Sequence, residues 1–235
     1  MGELDEALEV AADLAARIED EDVFDLSAAR MTQARILALR GQAEQVADSF
    51  EWIESTCRSL GKPQDVVPGL ASTALARAGL GQGGAAARLL AEVEATPHAR
   101  MTVLYPVFLP AMVRTALAIG ETSLAERLVS GLQPRYLYAE HALVAANAAL
   151  AEARGDLQAA VDAYAESADR WERFGVVPEQ AFASLGQGRC LLRLSRPAEA
   201  SPALQRARGT FERLGAAPAL AEIDALLQEA TALSP

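Results

Sequence analysis

The sequence predicts an all-α protein, a solenoid of helical hairpins, and three observations carry that prediction. A turn phrase recurs six times along the 235 residues, the composition favours helix, and the apolar positions beside each turn repeat with a helical period. The phrase is a turn residue, usually Gly, followed five positions later by a small apolar residue. It reads Gly2-Glu-Leu-Asp-Glu-Ala7, Gly41-Gln-Ala-Glu-Gln-Val46, Gly81-Gln-Gly-Gly-Ala-Ala86, Gly120-Glu-Thr-Ser-Leu-Ala125, Gly155-Asp-Leu-Gln-Ala-Ala160 and Ser195-Arg-Pro-Ala-Glu-Ala200. The starts lie 39, 40, 39, 35 and 40 residues apart, and self-similarity at such a period marks a stacked-repeat architecture. Apolar residues make up 51% of the chain and aromatics only 5%. That balance, rich in the best helix former and poor in aromatic residues, speaks against sheet.

Each turn residue sits between two helical patterns, so the unit is a helix-turn-helix hairpin. A lone helix is predicted over 3–18, then hairpins over 25–60, 64–96, 100–132, 135–174 and 177–214, then a closing helix over 218–232. A solenoid grows by adding units, so the whole chain, 1–235, reads as one elongated domain. Nine residues after each turn mark come Ala11, Phe50, Leu90, Val129, Tyr164 and Leu204, one helical turn past the small residue and on the same face. Sixteen after it stand Ile18, Cys57, Trp171 and Phe211 in the long repeats. Leu60-Gly61, Phe174-Gly175 and Leu214-Gly215 then close helices, with Pro63, Pro178 and Pro218 soon behind. Seven before the mark lie Ala34, Ala74, Val113, Ala148 and Gly188. Small side chains there and at the plus-five position let two helix axes approach closely.

Charge and cysteine content limit the partners. A formal net charge of -11 repels nucleic acid, so no direct nucleic-acid partner is expected. Cys57 and Cys190 are far apart and lack a C-x-x-C spacing, which argues against a disulfide framework or structural zinc and for a reducing, cytoplasmic location. Neither a signal-peptide pattern nor an apolar run of about 18 residues is present, so no membrane association is expected.

Gly79-Leu-Gly81-Gln-Gly-Gly84 satisfies G-x-G-x-x-G, but a dinucleotide site needs a preceding strand, and here the flanking pattern is helical. His98 and His141 are the only histidines, and no His, Cys and carboxylate cluster has metal-ligand spacing. No G-x-S-x-G phrase occurs. No cofactor, no metal and no enzymatic activity are expected.

The order Ala148, Gly155, Ala160, a small residue, a turn Gly seven later and an Ala five after that, resembles the tetratricopeptide repeat over nearly the whole chain. The period is longer than that family's 34, the Trp and Tyr expected early in the first helix are absent, and two second helices end early at Thr96-Pro97 and Gln133-Pro134. The longer period, with Gly188-Arg-Cys-Leu-Leu-Arg-Leu-Ser-Arg-Pro-Ala-Glu-Ala200 and Phe211-Glu-Arg-Leu-Gly-Ala-Ala-Pro218, is similar to the C-terminal repeat regions of bacterial LuxR-type (maltose-activator-like) regulators and cyclase-linked signalling ATPases. The resemblance implies a right-handed superhelix. It also implies a non-enzymatic module for protein interaction or ligand sensing in a cytoplasmic regulator, its partners a protein, a peptide or other domains of a parent chain. The start in mid-hairpin at Gly2 fits a piece of a longer protein. Two alternatives stand beside this reading: a free-standing adaptor that binds an acidic or amphipathic peptide, and a sensor of a small-molecule inducer with an enclosed pocket near Tyr105 and Tyr138. Terminal repeats that lack a cap also allow a homo-oligomer.

The resemblance further implies which residues face the concave groove: Arg35, Leu75, Arg114, Ala149 and Arg189, joined by Arg193 and, for apolar contact, Phe182 and Leu185. Arginine's planar fork suits carboxylate or phosphate. The competing reading pairs these arginines with Asp and Glu of neighbouring helices. A second candidate is Tyr105, Arg135, Tyr136 and Tyr138, where the repeat is irregular; its competing reading is Tyr packing in the core. The register itself is testable. Ala160→Glu is expected to destabilise the fold by several kcal/mol through overpacking and an unpaired buried charge; an unchanged melting temperature rules the register out.

Overall fold

The structure is a computed structural model and describes residues 4–17 and 23–233. Among them are twelve α-helices and no strand, and none of these helices is long and apolar enough to cross a membrane. The helices are α1 (Leu4–Arg17), α2 (Val23–Arg40), α3 (Phe50–Leu60), α4 (Pro63–Gly79), α5 (Gly83–Ala95) and α6 (Tyr105–Ala118). They continue with α7 (Thr122–Val129), α8 (Leu137–Arg154), α9 (Leu157–Phe174), α10 (Val177–Arg193), α11 (Pro197–Leu214) and α12 (Ala217–Ala232).

They fall into two compact units, one up to Ser130 and one from Gly131 onward. The repeat predicts one elongated domain; the division lies inside the 35-residue interval from Gly120 to Gly155, where the spacing breaks. In the first unit α4 is central, packed on α2, α3, α5 and α6, while α1 packs on α2 and α6 on α7. In the second, each of α8 to α12 packs on the next.

The turn phrase has one structural cause. Gly41, Gly81, Gly120 and Gly155 take left-handed φ of 73°, 74°, 82° and 85°, a region that costs a side-chain-bearing residue steric energy and glycine almost none. In each turn the next amide reaches back to a carbonyl five residues earlier: Gln42 to Leu37, Gln82 to Arg77, Glu121 to Ala116, Asp156 to Ala151 and Arg196 to Leu191. This closure satisfies carbonyls that a helix end would leave orphaned. The same conformation at Gly81 puts the G-x-G-x-x-G phrase between α4 and α5, with no strand before it.

The small positions are buried as the register requires. Ala34, Ala74, Val113 and Ala148 are fully buried, and so are Ala86, Ala125, Ala160 and Ala200 across the turns. At Gly188 a Cβ would stand 2.5 Å from Leu204 Cγ, so the approach of α10 to α11 leaves no room even for alanine. Phe50, Leu90, Tyr164 and Leu204 form the buried stripe, extended by Cys57, Trp171 and Phe211; Val129 is half-buried. Gly2 and Ile18 lie outside the described residues.

One hairpin departs from the pattern. Where the phase predicts α-helix after Gly41, Ala43–Ser49 winds as a 3₁₀ helix before α3 begins. Four residues of α-helix separate the plus-five and plus-nine side chains by about 40° around the axis, whereas 3₁₀ winding separates them by about 120°. Val46 is only partly buried, packed at the edge of the core that holds Phe50, and Ala43 lies within that core beside Ala34, Ile53 and Ala76.

The sixth turn carries Ser195, at φ 59°. Because left-handed backbone costs a non-glycine residue roughly 1 kcal/mol or more, Ser195→Gly is expected to stabilise the chain by about 0.5–1 kcal/mol after the added unfolded-state entropy of glycine. Thermal denaturation checks this, and an unchanged or lower midpoint contradicts it.

Candidate functional site

The candidate arginine column starts from residues placed one position after the buried small ones. In the first unit Arg35 is exposed, with its guanidinium carbon 4.6 Å above the Phe108 ring; Leu75 and Arg114 are half-buried. In the second unit Ala149 is buried and Arg189 is half-buried between α8, α9 and α12. Phe182 packs edge-on against Phe211 at 4.9 Å, Leu185 is buried, and Arg193 is exposed.

Arg189 is fully engaged within the protein. Its Nε and Nη2 donate to the two carboxylate oxygens of Glu152, and its Nη1 donates to Glu222. Tyr164 donates its hydroxyl to Glu152 Oε2 at 2.8 Å, and Arg193 Nη1 lies 4.0 Å from Glu152 Oε1. The Tyr164 ring can lie there because Gly186 has no side chain: a Cβ would stand 2.3 Å from the ring carbon that bears the hydroxyl. Burial pushes the Glu152 carboxyl upward, but the hydrogen bonds and charge of Arg189, with the Tyr164 hydroxyl, outweigh it and hold the group below the usual carboxylate range. Burial next to that carboxylate pushes the Tyr164 phenol well above its ordinary value. Cys190, on the same helix, is pushed up to about 12 by burial and by Glu152. Such a bidentate, desolvated pair ties α8 and α10 together and, through Glu222 and Tyr164, adds α12 and α9.

The second candidate group divides between the two units. In the first, Tyr105 is fully buried, its hydroxyl donates to Leu128 O at 2.7 Å, and burial raises its pKa to about 12. In the second, Arg135 is exposed and Tyr136 partly so, at the lead-in to α8. Tyr138 joins a cluster of rings with His141, Trp171 and Phe174. Its ring centre lies 4.9 Å from Trp171 and 5.7 Å from Phe174, and His141 lies 5.4 Å from each of the same two rings. All are edge-to-face, the arrangement aromatic quadrupoles favour. Burial and the neighbouring Arg170 lower the pKa of His141, so its imidazole is held neutral. Trp171 is fully buried at the base of this cluster, whereas Tyr136, Leu137 (61% exposed) and Phe174 face solvent. Leu137 stands one helical turn before His141, whose ring meets Phe174, so Leu137 and Phe174 both lie beside the aromatic cluster.

A third feature has no counterpart in the sequence reading. Pro63, Gln64, His98 and Met101–Leu104 line an open depression of about 450 Å³ in the first unit. It is not enclosed, and it ends at the residue before Tyr105. His98 holds a left-handed φ of 62°, and Met101 and Val103 are exposed. No cluster of three or more His, Cys, Asp or Glu capable of holding a metal exists among the described residues.

Glu152 is the residue of this internal network that sequence reasoning misses, although a signal exists. The buried plus-nine column is apolar except for Tyr164, and a phenol there needs a polar partner within reach. Compared with models of protein families and with curated proteins, the chain matches none.

Removing the guanidinium isolates a buried carboxylate. Arg189→Ala is expected to cost roughly 3 kcal/mol or more at neutral pH. With the arginine present, the depressed pKa of Glu152 contributes stability above its ordinary value of 4.5 that is lost on acidification. Without it, burial is opposed only by the Tyr164 hydroxyl and the more distant Arg193, so the pKa rises relative to the parent protein and the deficit should shrink as pH falls towards 5. Chemical denaturation of both proteins across pH 5–8 checks this; a pH-independent deficit contradicts it.

Proposed function

We propose that this chain is a non-enzymatic interaction or ligand-sensing module, built of tetratricopeptide-like repeats, that serves a cytoplasmic bacterial signalling or transcription regulator. Hairpins with left-handed turns and small buried pairs support the repeat reading. The observation that carries the functional one is the solvent exposure of Tyr136, just before α8, Leu137 on α8 and Phe174 on α9. Large apolar side chains exposed beside a packed aromatic cluster are what a protein-binding surface presents. The arginine column contributes less, because Arg189 is consumed by Glu152 and Glu222 and Arg35 lies on Phe108.

Selection of a random displayed-peptide library on the 235-residue chain tests this. Enriched peptides should share an aliphatic or aromatic anchor and lose binding by about tenfold or more with Leu137→Ser or Phe174→Ser, the loss of a buried apolar contact, while far-ultraviolet circular dichroism stays unchanged. No enrichment, or binding indifferent to both substitutions, rejects the surface. Binding lost only with Met101→Glu moves the site to the depression beside His98.

A further inference from the structure

The net charge of -11 is not spread along the chain. Residues 1–25 hold ten acidic side chains against the single cation Arg17, so nearly all of the excess lies in this segment. The same stretch carries exposed apolar residues: Val10 (59% exposed), Leu14, Val23 and Phe24 (62% exposed). Ala11 is the only fully buried residue of α1, so the helix is attached by one narrow face.

Helix pairing brings the exposed apolar residues near one another. Asp5, at the start of α1, pairs with Arg40, at the end of α2. The two helices are therefore antiparallel, and the last turns of α1, with Leu14, lie beside the first turn of α2, with Val23 and Phe24. Val10 and Leu14 are four residues apart and share a face of α1. Glu6 stands four before Val10 and Asp13 three after it, so carboxylates border that stripe; Asp25 follows Phe24 and is exposed. Apart from Asp13 with Arg17 and Asp5 with Arg40, no ion pair involves these carboxylates among the described residues.

We infer that the Val10, Leu14 and Phe24 surface of α1 and α2, with its acidic border, docks a basic amphipathic helix of another protein. An apolar stripe flanked by carboxylates is complementary to a helix with leucine-like anchors at three- and four-residue spacing and lysine or arginine beside them. The carboxylates disfavour a second copy of this chain at the same surface, because two such segments would bring like charges together. This surface is distinct from Tyr136, Leu137 and Phe174, and its test uses different variants and a different probe.

The probe is a fluorescent synthetic helix of leucine and lysine in amphipathic order, titrated with the full chain by anisotropy. A control peptide has the same composition in scrambled order, which keeps the charge and removes the apolar face. The ordered peptide should bind, and affinity should fall as salt rises. Val10→Ser with Leu14→Ser, or Phe24→Ser, should weaken it by about tenfold or more. Glu6→Gln with Asp13→Asn should weaken it at low salt and flatten the salt dependence. These positions are exposed, and circular dichroism confirms that the variants fold. Absence of binding overturns the inference. So does equal binding of the scrambled peptide, which leaves charge attraction alone, and so does binding unaffected by the three serine substitutions. Sedimentation velocity is the remaining arm: a dimer dissociated by Val10→Ser and Leu14→Ser shows that a second copy covers the face and overturns the basic-helix partner.

Discussion

The close approach of two helix axes across a left-handed turn is the constraint on which the rest of this structure depends. Helices joined by two or three residues cannot separate to accommodate large side chains, so the positions nearest the turn must be small. Ala148 and Ala160, or Gly188 and Ala200, meet that demand on either side of Gly155 and Ser195. Large side chains enter one helical turn further out, where Phe50, Tyr164 and Leu204 occupy the plus-nine column. At Gly186 and Gly188 the approach is closer still, and the missing side chains become receptacles for Tyr164 and Leu204. Packing of this kind tolerates little volume change, because an interior without voids passes strain on to its neighbours.

Close packing also decides what the polar residues can do. A phenol in the buried column must find an acceptor, and Tyr164 finds Glu152; a buried carboxylate must find a cation, and Glu152 finds Arg189. Each requirement follows from the one before it, since an unpaired buried polar group costs more than a satisfied one returns. Ion pairs such as Arg208 with Glu212 and Asp224 lie open to water and contribute little by comparison. An arginine that completes an internal network is not available as a ligand contact, and this removes Arg189 from the column in which its position alone had placed it.

The helix class, the turns and the small buried positions were legible in the sequence because each rests on a residue type with few substitutes. Left-handed backbone selects Gly, close approach selects Ala or Gly, and both recur at a fixed spacing. Three features were not legible. The 3₁₀ winding of Ala43–Ser49 follows no residue pattern that separates it from the α-helical segments at the same phase, and it leaves Val46 at the edge of the core with Ala43 inside it. Tyr105 and Tyr138 looked like one aromatic group in the sequence, yet Tyr105 closes on Leu128 in the first unit and Tyr138 packs edge-to-face on Trp171 in the second. The Glu152 partner of Arg189 lies 37 residues away, one repeat back, and the period identifies equivalent positions rather than which of them touch.

Charge adds a further distinction that the composition total conceals. Beyond residue 25 acidic and basic side chains nearly balance, and arginines such as Arg35, Arg40, Arg189 and Arg208 are already paired with carboxylates or laid over an aromatic ring. A balanced surface exerts little long-range attraction on a charged partner, so recognition there must rely on shape and apolar contact, as at Leu137 and Phe174. Residues 1–25 carry an uncompensated field, and that field acts on association from a distance before any apolar contact forms. The two surfaces therefore differ in physical kind as well as in place. Raising the ionic strength should separate them, because screening weakens the second and leaves the first almost untouched.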